Sequence, residues 1–205
     1  MSHLLNGMAD YVFCVMEFVN AGGMVMIPLL AVSSALWVLV INRVAFFRRL
    51  HIKNISRHHA GVLVKSNQAP AENETGVNAR LVREFLMLRS GNILLDASIL
   101  DETVMRQVRV MDHYLVVIQV LAAIAPLLGL LGTVTGMITT FDVITVFGTG
   151  NARAMAGGIS EALITTQTGL LISIPGLYMS GFLNRRAENL KQRIAALGIY
   201  LKRFL

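Results

Sequence analysis

Residues 18–42 read FVNAGGMVMIPLLAVSSALWVLVIN, twenty-five residues without an ionisable side chain, bounded by Glu17 and Arg43. About 20 helical residues cross the hydrocarbon core of a bilayer, so this stretch is long enough to span it. Residues 113–141 and 162–184, of 29 and 23 residues, likewise hold no Asp, Glu, Lys or Arg. Composition agrees: 55% of the 205 residues are hydrophobic and 15% charged, where a soluble domain carries about 25% charged residues. A chain this apolar cannot hide its apolar surface in one water-soluble core. The reading is an all-α integral membrane protein with three transmembrane helices. Disordered chains are poor in apolar residues, and the lone Cys14 has no partner for a disulfide scaffold.

The basic residues give the orientation. Of eighteen Lys and Arg, none lies in residues 1–17, eleven lie in 43–112, one (Arg153) in 142–161 and six in 185–205. Positive charge gathers on the cytoplasmic side of a membrane protein. This predicts a short periplasmic N-terminus (1–17), a cytoplasmic helical segment (43–112), a short periplasmic connection (142–161) and a cytoplasmic amphipathic tail helix (185–205). Arg43, Arg48, Arg49 and Lys53 read as a stop-transfer cluster, which predicts a retained first span and not a cleaved signal. Topology accounts for the net charge of +6, and no zinc-ligand spacing, RNA-binding aromatic signature or phosphate loop points to nucleic acid.

Within 43–112 the stretch SNQAPAENETG, residues 66–76, marks a loop. Beyond it Leu100, Val104, Val108, Met111 and Leu115 recur at helical spacing, and Glu102 with Arg106 forms an i, i+4 pair. The second span is therefore expected to continue into the cytoplasm as one long helix. Leu190, Ile194, Leu197 and Leu201 form a matching stripe opposite Lys191, Arg193, Lys202 and Arg203, extending the third span inward against a partner helix. Three spans do not divide into the paired halves of a secondary transporter.

The informative residues lie inside the spans. Gly129, Thr133, Gly136 and Thr140 share a face of the second, Gly132 and Gly136 form a small-xxx-small pair, and Pro126 marks a kink or loosening near mid-span. Close helix packing explains the glycines. Thr133, Thr135, Thr139 and Thr140 equally fit a hydrated or partner-filled interior. In the third span Glu161, Thr165 and Thr168 share a face, with Thr166 and Gln167 beside it. Polar groups facing hydrocarbon are costly, so these are expected to face a lumen or a neighbouring subunit. No span carries a charge at its middle, and a threonine hydroxyl does not titrate near neutral pH. A proton path through this chain needs an acid brought by a second protein.

At this point the residues resemble the MotA/TolQ/ExbB proton-channel family, in its ExbB and TolQ branch. The match lies in APLLGLLGTVTGMITTF (125–141), in MAGGISEALITTQTGLLISIPGL (155–177) and in AGGMVMIPLL (21–30). The four spans of MotA make it a poorer fit. The resemblance implies five copies around two copies of a single-span ExbD- or TolR-like subunit whose aspartate carries the proton, in the bacterial inner membrane. It implies Thr133, Glu161 and Thr166 as pore-lining residues. The helical faces read above make Thr140, Thr165, Gln167 and Thr168 secondary pore or partner contacts and Gly129, Gly132 and Gly136 helix packing. Thr165, Gln167 and Thr168 make the third span more polar than is usual in such proteins. The implied function is an ExbB-like stator energising a TonB-like protein for outer-membrane import. TolQ-like envelope maintenance and a non-conducting membrane scaffold are the alternatives. Besides these proteins the only partner expected is membrane lipid. No cofactor, metal cluster or nucleophile with a base is visible, so no enzyme is expected. His58 and His59 lie in a basic stretch, and His3, His51 and His113 are isolated.

Overall fold

The computed structural model describes residues 16–52 and 55–205. His3, Cys14, Lys53 and most of the expected N-terminal segment lie outside the described residues. The helices are α1 (Met26–Ile52), α2 (Arg57–Ser66), α3 (Val77–Leu88), α4 (Ile93–Asp112), α5 (Leu115–Phe147) and α6 (Ala152–Leu201), with short 3-10 turns at Gly148–Gly150 and Lys202–Phe204. No strand occurs among the described residues. Three stretches are long and apolar enough to cross a membrane, in Met26–Leu50, Ile93–Phe147 and Ala152–Phe204. The all-α, three-span class expected from the sequence is the one observed.

Two details differ from expectation. The long second stretch is not one unbroken helix: α4 ends at Asp112 and α5 begins at Leu115. Between them His113 is extended (φ −56°, ψ 130°) and Tyr114 is left-handed at φ 63°, a conformation uncommon for a bulky residue. With neither glycine nor proline there, the periodic stripe across the break carries no sign of it. The connection at 142–161 is mostly helix as well. Only residues 148–151 lie outside α5 and α6, where Gly148 turns the chain at φ 64° and the Asn151 side chain accepts the Ala154 N–H at 3.2 Å, an ordinary N-cap.

The chain forms two compact units. The first holds residues up to Val38 and Val117–Tyr178. Its core is Val25, Met26, Leu29, Ala125 and Ile172, with Val19, Val32, Leu128 and Ile164 packed around it. Large apolar side chains such as Ile27, Leu127, Leu131, Leu163, Leu171 and Ile174 stay exposed, as suits helices whose solvent is lipid or another subunit. Pro28 stands in the first turn of α1, where its missing N–H costs nothing. Pro126 and Pro175 lie inside α5 and α6.

The second unit holds Leu39–Val116 and Met179–Leu205. The two stripes seen in the sequence meet here. Leu100, Met111, Leu190, Ile194, Leu197 and Leu201 are buried, Gly198 faces Val104, and Lys191 pairs with Asp112 and Lys202 with Asp101, each at 2.6 Å. Position rises along α6 as it falls along α4, so the two run antiparallel. The Lys191 ammonium is held above its ordinary value, chiefly by its hydrogen bond to Asp112 and against partial desolvation. Arg83, on α3, donates to the Ala71 carbonyl at 3.0 Å, which fastens the expected loop, and Asn78 Nδ2 donates to the carbonyl of Ile55, ahead of α2, at 2.7 Å.

The turn between α3 and α4 is organised by one carboxylate. Asp96 accepts the Ser90 N–H at 2.7 Å, the Ser90 hydroxyl at 2.9 Å and Arg89 Nε at 3.2 Å, while Arg89 Nη1 donates to the Val64 carbonyl at 2.9 Å. Desolvation opposes ionisation of Asp96, but the bonds from Ser90, Arg89 and Gly91 outweigh it and hold the carboxyl below its usual value of 3.8. A carboxyl group depressed by folding adds stability that is complete above its unfolded value and disappears as pH falls through its folded value. Replacing Asp96 with Asn is expected to lower the unfolding temperature at neutral pH, and the deficit is expected to shrink as pH drops below about 3.8. Thermal melts of the detergent-solubilised protein, followed by circular dichroism across pH, check this.

Candidate functional site

The first unit is organised by small residues where α5 meets α6. A Cβ added to Gly169 would lie 2.7 Å from the Ala125 carbonyl oxygen, and one on Gly136 2.7 Å from that of Gly158 and 2.9 Å from Ala162. A Cβ on Gly129 would lie 3.0 Å from the Thr165 carbonyl oxygen. Gly132 opens onto the Thr165 side chain, Gly158 onto Thr140, and Gly176 onto Leu36 of α1 and Ala122 of α5. The contacts run antiparallel from Thr140 with Gly158 to Ala122 with Gly176. Gly129, Gly132 and Gly136 therefore all face α6, with backbone against backbone at Gly129 and Gly136 and the Thr165 side chain filling the space at Gly132.

This approach sorts the hydroxyls. Thr165, Thr168 and Thr140 are enclosed by the chain's own helices, at 0%, 6% and 4% exposure. Thr165 Oγ1 lies 2.9 Å from the Ala162 carbonyl, Thr168 Oγ1 donates to Ile164 at 2.8 Å and Thr140 Oγ1 to Gly136 at 3.0 Å. Such back-bonding to the preceding turn satisfies the hydroxyl proton inside the helix. These three therefore need no water or partner. Thr133 and Thr166 are half-buried and Gln167 is exposed. Thr133 Oγ1 donates to the Leu130 carbonyl at 2.6 Å. Thr166 Oγ1 stands 3.3 Å from the Gly129 carbonyl on α5 and 3.2 Å from Ala162 on its own helix, and its single proton serves one of them at a time. Thr135 and Thr139 return their protons to Gly132 and Thr135, at 3.0 and 3.1 Å.

Glu161 is half-buried, and its carboxylate occupies the space a side chain at Gly23 would take. Gly23 is left-handed at φ 64°, so the turn entering α1 needs glycine for its conformation and for the carboxylate. The sequence reading passed over this contact, although the Gly22–Gly23 pair ahead of an apolar run was its visible signal. The sequence has no Asp, Glu, Lys or Arg between Glu161 and Arg185 or between Asp112 and Asp142. The α5–α6 pair thus offers hydroxyls, an amide and, at one end, a carboxylate. It can hydrogen-bond an ionisable group but has no Asp, Glu, His, Lys or Arg of its own across the apolar stretch. Among the described residues no cluster of His, Cys, Asp and Glu suited to a metal is present.

Comparison with known proteins matches residues 74–196 to the MotA/TolQ/ExbB proton channel family. Over 165 residues the chain is 30% identical to ExbB-like biopolymer transport protein 3 of Synechocystis sp., covering 77% of this chain and 79% of that one. It is 31% identical over 195 residues to the ExbB-like protein 1 of the same organism, covering 91% and 76%. The biopolymer transport protein ExbB of Neisseria gonorrhoeae is 36% identical over 86 residues, 42% of this chain and 39% of that protein. The matched residues include α5 and most of α6.

The backbone contacts leave no room for side chains. Gly136→Ala and Gly169→Ala are each expected to destabilise the protein by about 1–3 kcal/mol, the usual cost of overpacking a tight contact. Gly157, with nothing within 4 Å of its added Cβ, is expected to accept Ala without loss and to gain up to about 1 kcal/mol of helix propensity. Thermal unfolding of the three purified variants separates the two cases.

Proposed function

This chain belongs to the MotA/TolQ/ExbB proton channel family, and from that premise we propose that it is the ring-forming, ExbB-like stator subunit of a motor driven by the proton-motive force in a bacterial inner membrane. In this reading 18–42, 113–141 and 162–184 are the spans, the N-terminus is periplasmic and the C-terminus cytoplasmic. Five copies surround two copies of an ExbD-like single-span subunit, and a TonB-like protein receives the work for outer-membrane import. A proton falling through the membrane potential releases about 2.3 kcal/mol per 100 mV, which the assembly converts to motion and not to a bond change.

One observation carries the reading. The α5–α6 pair keeps Thr133 and Thr166 partly open and Glu161 at one end, while no charged residue lies between. Such a wall suits an acid that arrives on another chain. Thr133 and Thr166 hydrate and orient that acid, and Glu161 sets the electrostatics at the end of the path. Thr140, Thr165 and Thr168, enclosed within the chain, act by fixing the wall's shape. Gln167, exposed on α6, is free to meet a neighbouring copy or the central subunit.

Native mass spectrometry of the complex drawn from its own host through a tag on this chain is expected to show five copies with two small single-span proteins. A ring with no second protein favours the scaffold. The Thr133→Val, Thr166→Ala double variant is expected to assemble as the parent does yet lose about tenfold or more of its proton flux in proteoliposomes. Hydrogen bonds to charged groups contribute about 1.5–3 kcal/mol, and each 1.36 kcal/mol in a barrier is tenfold in rate. Full flux in an assembled double variant overturns the assignment of these two residues.

A further inference from the structure

The second unit contains a feature that the motor reading leaves unused. Arg43, on α1, is 6% exposed. Its Nη2 donates to the carbonyls of Val110, at 2.8 Å, and of Met111, in the last turn of α4, where carbonyls have no partner within the helix. The guanidinium lies 4.6 Å from the ring centres of both Phe46 and Phe47. Its Nε is buried without a hydrogen-bond partner. A buried, unmet guanidinium N–H is costly, and such exceptions call for an explanation.

Arg43 also lines an open cavity of about 500 Å³, together with Asn42, Phe46, Arg109, His113 and Tyr114. No carboxylate lines it. Arg106, which also lines it, is already offset by Glu84 at 3.2 Å and Glu102 at 2.8 Å. Asp112, the acid at the break between α4 and α5, is held by Lys191 at 2.6 Å. Arg109 is exposed and has no ion pair among the described residues. Asp112 also offsets part of the Arg43 charge, but Arg109 has no counter-ion among the described residues, so the cavity keeps an excess of positive charge.

Its level in the chain says where the counter-ion comes from. The uncharged stretch of α1 ends at Asn42, and the uncharged stretch leading into α5 begins at His113. Both lie at the cavity, so it sits where two apolar spans give way to polar sequence. That is the headgroup level, where aromatic rings such as Tyr114 and Phe46 and basic side chains gather. A bidentate guanidinium is the preferred protein group for phosphate.

We propose that this cavity binds the phosphate of an anionic phospholipid, with the guanidinium groups of Arg43 and Arg109 as its cationic donors. Asn42 and His113 hydrogen-bond the remaining headgroup oxygens, and the acyl chains leave along Leu39 and Phe46. The bound headgroup neutralises the site and ties α1 to the break between α4 and α5.

The test uses the full-length protein with its native partners, purified in detergent, stripped of lipid and titrated with phosphatidylglycerol or phosphatidylcholine under native mass spectrometry. Phosphatidylglycerol is expected to bind about tenfold more tightly than phosphatidylcholine, which carries the same phosphate but whose choline cation offsets its charge and repels Arg43 and Arg109. The Arg109→Ala, His113→Ala variant, altered only at exposed positions, is expected to lose that preference while keeping the parent's circular-dichroism melt without added lipid. Lys202→Ala, an exposed basic position elsewhere, is expected to keep the preference. Equal binding of the two lipids, or an unchanged preference in the Arg109→Ala, His113→Ala variant, overturns the proposal. If inorganic phosphate at millimolar concentration displaces phosphatidylglycerol completely and stabilises the protein as well as the lipid does, the site is one for free anions and the lipid assignment fails.

Discussion

Where α5 meets α6, backbone touches backbone, and the first unit depends on that contact. In lipid there is no hydrophobic gain from bringing two apolar helices together, so association rests on close packing and on what hydrogen bonds the approach permits. Glycine at 129, 136, 158 and 169 permits it, because a Cβ at any of these positions meets carbonyl oxygen at 3.0 Å or less. The approach fixes which hydroxyls are enclosed and which remain open. Thr165 fills the hollow at Gly132, and Thr140 the one at Gly158. Thr166 is left at the margin, near a carbonyl of each helix.

The second unit is held by different means. Its helices are amphipathic, and they bury leucines against one another as helices of a soluble protein do. Ion pairs at Lys191 with Asp112 and Lys202 with Asp101 set the register of α6 on α4. Partly exposed pairs of this kind contribute little stability. Their value here is alignment. The ends of its helices are finished by charged side chains reaching backbone groups: Asp96 takes the Ser90 N–H, and Arg43 takes the last carbonyls of α4.

Much of this was legible in the sequence, because the rules that write it are periodic. Uncharged runs of bilayer length gave the three spans, and the glycines of the second span stood at the spacing of one face. The leucine stripes on α4 and α6 gave the faces that meet. What escaped is what depends on contacts distant in sequence or on single dihedral angles. The stripe from Leu100 to Leu115 continues in phase across a break made by the dihedral angles of His113 and Tyr114. Arg43 counts toward topology like any other arginine, and its partners at Val110 and Met111 are over sixty positions away. The threonines look alike in a helical projection. Only the rotation of α5 against α6 separates Thr165 and Thr168, enclosed, from Thr166, half-open.

The back-bonded threonine bears on how such a wall serves a proton carrier. A hydroxyl that donates to its own helix has lone pairs left over and can only accept from outside. An acceptor is what a protonated carboxyl needs. Once the acid has lost its proton it needs donors, and the same hydroxyl supplies one by turning its proton away from the helix carbonyl. The intrahelical bond given up is of modest net worth, about 0.5–1.5 kcal/mol, while a bond to a carboxylate is worth about 1.5–3 kcal/mol. In the motor proposed for this chain, Thr133, bonded to Leu130, and Thr166, between the carbonyls of Gly129 and Ala162, are placed to serve both protonation states of a visiting acid. A valine of nearly the same shape serves neither. A fixed charge at either position would bind one state too firmly for the acid to move on.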